Sequence, residues 1–393
     1  MKEGDPMAAT MATATQITDR PSARRAFNFG SGMPDPATFP AQELAEAAMR
    51  VLPQAGDVLV KYPDPRGWPA LREIAAERFR KSHGVTVPLD QIVLMNGSMQ
   101  PIGLAAFGLA GAGATIVVES FSYVGSLNAF RRVGANLVGV PLDDQGMRTD
   151  MLAETLDRLE AAGQRPAFIY TIPSHQNPTG TTLPVERRRQ LLEVAQAHNV
   201  LVIEDDCYAD VRFTDAPVPP ALYKLAEPGR VLYIGSFSKI LGPGIRLGYI
   251  MAPEPLMTDL LRYKIDGGIS ALSAMIVAEY LRDHLWDHIA TCNRALKAKR
   301  DTLLTALDEQ FSRRGVEWTR PDGGLFTWLR LPEGVDVERL RALAGEAGIQ
   351  YGSGRSFDAA DREVSYLRLA FGFIARSDIP DGIAALADCL ARA

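Results

Sequence analysis

The stretch Gly235-Ser236-Phe237-Ser238-Lys239 follows an apolar run and leads into Gly242-Pro243-Gly244-Ile245-Arg246-Leu247-Gly248. A lysine among hydroxyls and glycines, just past a buried strand, is suited to act as an amine nucleophile. Burial and neighbouring positive charge lower a lysine's pKa, as imine chemistry requires. Ser236, Ser238 and Arg246 together suit a phosphate, with Arg246 making the charge-assisted bonds. Taken alone, the same residues fit an exposed loop lysine equally well. Two further segments carry reactive types: Ser174-His175-Gln176-Asn177-Pro178-Thr179-Gly180 and Asp205-Asp206-Cys207-Tyr208. A carboxylate there also serves as a turn former or helix cap, and Asn177 before Pro178 is also ordinary turn chemistry.

These segments must be brought together by the elements that precede them. Apolar runs predict strands over Gln91–Met95, Thr115–Glu119, Asn136–Val140, Phe168–Thr171, Val200–Glu204, Val231–Gly235 and Leu247–Ala252. Helical patterns lie between most of them, at 98–110, 123–133, 149–162 and 184–198. Such alternation predicts a largely parallel sheet covered on both faces, with ligands at the carboxyl ends of its strands. All three chemical segments follow such strands. Beyond residue 254 the pattern changes. Helices are expected at Pro255–Lys264, Ala271–Leu281 and His284–Arg313. Val316–Thr319, Gly324–Leu331, a helix near Val337–Ala347, Val364–Ala370 and a last helix at 377–391 then suggest a smaller α+β domain. A helix at Pro40–Leu52 joins the two.

The 393 residues carry 42 basic and 47 acidic side chains, a net charge of −5, which argues against a general nucleic-acid binder. No apolar run approaches the roughly 20 residues of a membrane helix. Cys207, Cys292 and Cys389 are widely separated and form no C-x-x-C, which favours a reducing, cytoplasmic setting over a disulfide framework. Residues 1–25 lack a secretory apolar core and read as a mobile tail. Phosphate-loop, zinc-protease and hydrolase-elbow motifs are absent, and Gly108–Gly113 precedes a strand where a dinucleotide fingerprint would follow one. His284 and His288 sit at i, i+4, but with no third ligand they read as an exposed polar face, and no metal is expected.

A buried carboxylate, an amide, a tyrosine and a lysine are together what pyridoxal phosphate requires. The motifs FGSGMPDPATFP (29–40), KYPDPRGWPALRE (61–73), NGSMQ (96–100), HQNPTG (175–180), EDDCY (204–208), SFSKILGPGIRLGY (236–249), PDGGLFTWL (321–329) and YLRLAFG (366–372) occur in this order. Over residues 27–392 the chain resembles the fold-type I pyridoxal-phosphate aminotransferases of class I/II, in the aminoadipate/kynurenine, LysN-like branch.

The resemblance implies an α/β fold: a large domain with a mostly parallel seven-stranded sheet sandwiched by helices, plus a smaller α+β domain. It implies a tail at 1–25, a joining segment at 26–55, the cofactor domain at 56–283 and the small domain at 284–393. It implies that Lys239 forms the imine and shuttles the proton, that Asp205 pairs with the pyridine nitrogen, and that Tyr208 and Asn177 bond the ring oxygen. The D-x-x-Y spacing to Tyr208 favours Asp205 over Asp206. Tyr123 would stack on the ring; Ser98, with the backbone amides of Met99 and Gln100, and Ser236, Ser238 and Arg246 would hold the phosphate. Arg368 would clamp the substrate α-carboxylate beside Asn177, and Gly32 and Met33 would line the side-chain pocket. Tyr62 would reach the neighbouring subunit's phosphate, making a homodimer obligatory. The implied activity is ping-pong transfer of an amino group from an L-amino acid to a 2-oxo acid, 2-oxoglutarate in particular. The cofactor motifs alone leave open a lyase, cyclase or oxidase acting on a specialised amino acid. Arg24 and Arg25 could meet a distal carboxylate or simply be solvated. A related domain occurs fused to DNA-binding domains, but the acidic charge argues against that role here.

Overall fold

The computed structural model describes residues 26–393; Arg24, Arg25 and the rest of the expected tail lie outside them. Seven strands form the central sheet: β1 (Ile92–Met95), β2 (Thr115–Glu119), β3 (Asn136–Val140), β4 (Pro166–Thr171), β5 (Leu201–Asp205), β6 (Val231–Ser236) and β7 (Gly248–Met251). Their spatial order is β1-β7-β6-β5-β4-β2-β3. Only β7 runs against its neighbours, pairing antiparallel with both β1 and β6. The other pairs are parallel, so the carboxyl ends of β2, β4, β5 and β6 share one edge.

The strands read as unbroken apolar runs because both faces are covered. Every residue of β1, β2, β6 and β7 is buried. Val93, Ile116, Phe168 and Ile203 feed one core; Leu94, Tyr233 and Tyr249, with Val117 and Ile169 further along, feed the layer on the opposite face. One helix of that second layer, Pro69–His83, escapes the pattern reading. Proline at its first turn and Gly84 at φ 71 mark its two ends.

The two helices expected at Ala271–Leu281 and His284–Arg313 are one helix, Ala271–Phe311, of 41 residues. The Arg282-Asp283 interruption is merely its polar side. No glycine or proline lies in the span to break the backbone hydrogen bonds. The helix is about 60 Å long at the usual rise. Ala274, Leu281 and Leu285 pack on the large sheet, and Leu303, Leu307 and Phe311 pack in the second core. A division at 283/284 therefore falls within a continuous helix. The small sheet has β8 (Glu317–Trp318), β9 (Phe326–Arg330), β10 (Gly352–Ser353) and β11 (Tyr366–Ala370), ordered β8-β9-β11-β10 and antiparallel throughout. Phe27–Asn28 pairs with Ile349–Gln350, so the N-terminal segment joins this smaller unit.

Of the His284 and His288 pair only His284 is exposed. His288 is buried: Nε2 meets the Ile240 carbonyl at 2.7 Å and Nδ1 meets the Tyr280 hydroxyl at 3.0 Å. Its ring ties the long helix to the residue after Lys239. No group of three or more metal-ligating side chains occurs among the described residues.

Candidate functional site

β6 ends at Ser236, and a single turn, Ser238–Leu241, presents Lys239. Its Nζ donates to the Gly32 carbonyl at 2.9 Å. Gly32 is needed there, because a Cβ would stand 2.8 Å from the Phe326 ring. Burial lowers the Lys239 pKa most; Arg368 adds to this, while Cys207 and Asp205 oppose it. At neutral pH that raises the share of free amine, the reactive form.

β5 ends at Asp205, which is 3% exposed. Its Oδ2 accepts from the Tyr170 hydroxyl at 2.6 Å, and Tyr170 accepts from Ser126 Oγ at 2.7 Å. Oδ1 is buried without a hydrogen-bond partner. Burial raises the Asp205 pKa, while the Tyr170 hydroxyl and the Cys207 thiol and amide, which approach the carboxylate without completing a hydrogen bond to Oδ1, pull it back. A buried carboxylate with one unpaired oxygen is costly unless a donor arrives, and a protonated ring nitrogen is such a donor. Asp206 also has one unpaired oxygen, but its other accepts from Tyr233 at 3.1 Å, on a different side of the strand. The neighbours of Asp205 (Lys239, Tyr123 and Tyr208 among them) are the chemical ones.

Asn177, 1% exposed, bridges two of the expected residues. Its Nδ2 donates to Tyr208 Oη at 3.3 Å, and its Oδ1 accepts from Arg368 Nη1 at 3.0 Å. Arg368 lies between the Phe326 and Phe357 rings, 4.4 and 4.7 Å from their centroids. Another of its nitrogens reaches the Gly30 carbonyl, and Nε is buried and unpartnered. Burial pulls its pKa down to about 10. A guanidinium in this state lacks an anion and suits a carboxylate.

Ser98 stands at the start of the helix Met99–Ala105 without making a side-chain capping bond, and Arg246 closes on the same turn. A Cβ on Gly97 would stand 2.8 Å from the Arg246 guanidinium, which hydrogen-bonds the Asn96 carbonyl at 2.5 Å. Ser236 Oγ accepts from the Ser238 amide at 3.0 Å, and Arg78 donates to the Ser236 carbonyl at 2.9 Å from behind. Gln100 turns its side chain to the Asn96 amide and Asp266. Tyr123 precedes the helix Val124–Arg132, half-buried, its pKa raised by burial and by Asp205. Met33 is 40% exposed beside Gly32; Tyr62 is 90% exposed on its own chain.

The structure thus gathers Lys239, Asp205, Asn177, Tyr208 and Arg368, and sets Ser98, Arg246, Ser236 and Ser238 at adjoining strand ends. Sequence reasoning missed Tyr170 and Ser126. A tyrosine in an otherwise apolar buried strand was the available signal, since its hydroxyl must find a partner.

Residues 24–379 match the family model described as aminotransferase class I and II. The chain is 34% identical over 366 residues to aromatic-amino-acid aminotransferase 1 of Thermococcus litoralis, covering 92% of this chain and 87% of that one. It is 33% identical to 2-aminoadipate transaminase of Thermus thermophilus, covering 98% and 94%. Among solved structures it resembles LysN, the alpha-aminoadipate aminotransferase of Thermus thermophilus, complexed with N-(5'-phosphopyridoxyl)-L-leucine. That match has a TM-score of 0.86 and 33% identity, and covers 93% of this chain and 92% of LysN.

Proposed function

The chain belongs to the class I and II aminotransferases, which are pyridoxal-phosphate enzymes, and from that premise we propose how its own residues carry the transfer. When bound, pyridoxal phosphate supplies an aldehyde that takes up an amino group and a ring that accepts an electron pair. Lys239 would hold it through Nζ. Ser98, the Met99 and Gln100 amides, Ser236, Ser238 and Arg246 would hold its phosphate, and Tyr123 would cover one ring face. The unpaired, buried Asp205 Oδ1 is the observation that carries this reading: it would keep a proton on the ring nitrogen. Tyr170 and Ser126 hold the other oxygen and stop the carboxylate from turning.

Arg368 binds the substrate α-carboxylate as a fork, steadied by the two rings and Asn177. Asn177 and Tyr208 would donate to the cofactor's ring oxygen. Lys239 Nζ, its pKa lowered, would take the proton from the substrate Cα and hold it for the return transfer. The donor leaves as a 2-oxo acid before the acceptor enters, and a 2-oxo acid, 2-oxoglutarate in our reading, takes the amino group in the second half. Met33, Phe39, Ile245 and Phe373 line an apolar cavity of about 410 Å³ flanking Gly32 and the Lys239 turn, which supports a donor with an apolar or long side chain. Exposed Tyr62 supports a homodimer in which each subunit completes the other's phosphate site. Three free, buried thiols support a cytoplasmic setting; no described helix is long and apolar enough to cross a membrane.

The test is a single half-reaction. Each amino acid is mixed with holoenzyme in the absence of acceptor, and products are quantified. One equivalent of 2-oxo acid with no free ammonia supports transfer. Continuing ammonia release refutes it in favour of elimination or oxidation.

A further inference from the structure

Glu119 ends β2 with its side chain 1% exposed, and four donors from three segments converge on it. Thr171 Oγ1 and the Ile172 amide donate to Oε1 at 2.7 and 3.1 Å, from the end of β4. Gln176 Nε2 donates to Oε2 at 2.9 Å, and Ser122 Oγ approaches the same oxygen at 3.4 Å. Among the described residues no ion pair reaches this carboxylate. Burial pushes its pKa up to about 7 although all four donors pull it down.

Gln176 has no freedom to turn. Its Nε2 also donates to the Phe121 carbonyl at 2.7 Å, and its Oε1 accepts from the amide and hydroxyl of Thr179 at 2.8 and 2.7 Å. With both ends committed, Gln176 fixes the loop that carries Asn177, the next residue. Ser122 likewise precedes Tyr123. One carboxylate therefore sits behind both of the loops that face the ring.

We propose that Glu119 is a positioning residue of the aminotransferase site, setting Asn177 through Gln176 and Tyr123 through Ser122. The inference rests on the site reading given above. It adds a requirement that none of the ring-facing residues reveals: the site needs an acceptor-only group at the end of β2. Glutamine in its place is nearly isosteric, yet its amide nitrogen must face either the Thr171–Ile172 donors or the Gln176–Ser122 donors. Either choice leaves donors opposed, and one of them turns an N–H against Gln176 Nε2 and pushes on the loop that carries Asn177.

The test is a double-mutant cycle of Glu119→Gln, Gln176→Leu and both together, with folding checked by circular dichroism. The readouts are the dissociation constant for pyridoxal phosphate, by fluorescence titration of apoenzyme, and KM and kcat with the best donor from the half-reaction screen. Each single variant should raise the dissociation constant and the KM about tenfold, with kcat changed less. The double variant should be no worse than the worse single. Unchanged constants in Glu119→Gln, or effects that multiply in the double variant, overturn the proposal. Should Glu119→Gln fail to fold, normal binding by Gln176→Leu overturns it equally. Borohydride trapping on the wild type separates the two levels: without a Lys239 adduct the site reading fails, whereas an adduct with unchanged constants fails only Glu119.

Discussion

Replacing Arg368 by Met should separate stability from function in opposite directions. The guanidinium is 6% exposed and lacks a carboxylate partner among the described residues. Its pKa, pulled down to about 10 by burial, corresponds to roughly 3 kcal/mol held against the charged form at about 1.4 kcal/mol per unit. Removing it gives up two hydrogen bonds, to Asn177 and Gly30, of about 1 kcal/mol each. The balance leaves the protein as stable as the wild type or slightly more so. Substrate binding goes the other way. Losing a bidentate charged contact to the α-carboxylate costs about 3–4 kcal/mol, or roughly 10²–10³-fold in KM. Both the donor and the acceptor half-reactions should suffer, because both substrates carry that carboxylate. Arg368→Lys keeps the charge but not the fork and should fall between. Thermal melts of cofactor-loaded protein and single half-reaction kinetics read the two effects. A steep loss of melting temperature with near-normal KM would refute the reasoning: Arg368 would then be a structural clamp on Asn177 and Gly30.

His175 is 7% exposed, and burial takes its pKa from the usual 6.5 to about 4. The unfolded chain therefore takes up the proton first, and stability falls as pH drops from 6.5 toward 4, by up to about 3 kcal/mol; His175→Gln should flatten that stretch of a denaturant-derived stability profile, and an equal slope would contradict it. Mixing inactive Lys239→Ala with Tyr62→Ala subunits should restore roughly a quarter of wild-type activity if Tyr62 acts across a two-fold dimer, whereas no recovery after proven subunit exchange places Tyr62 within its own site.

The chemical layout was legible because a parallel sheet orders it. Residues after β4, β5 and β6 meet at one edge whatever the loops do, so Asn177, Asp205 and Lys239 could be brought together from strand ends alone. The antiparallel β7 was not visible, since direction leaves no mark in an apolar run. The long helix was cut in two because polar Arg282 and Asp283 resemble a boundary, although only glycine or proline would have broken the backbone. Pro69–His83 was missed because buried Arg72, Arg78 and His83 interrupt its apolar face. Least legible were the supports: the Ser126–Tyr170–Asp205 relay, His288 behind Ile240, and Glu119 with its four donors. Each depends on side chains far apart in the chain, and such contacts have no sequence period.

The proposed chemistry stands on Lys239. Freshly loaded enzyme is reduced with borohydride, digested and mapped by mass spectrometry, with Lys239→Ala as control. A pyridoxyl group on the peptide containing residue 239, and none on the variant, is the outcome expected. Stoichiometric label on another lysine, or cofactor bound with no covalent label at all, would contradict it.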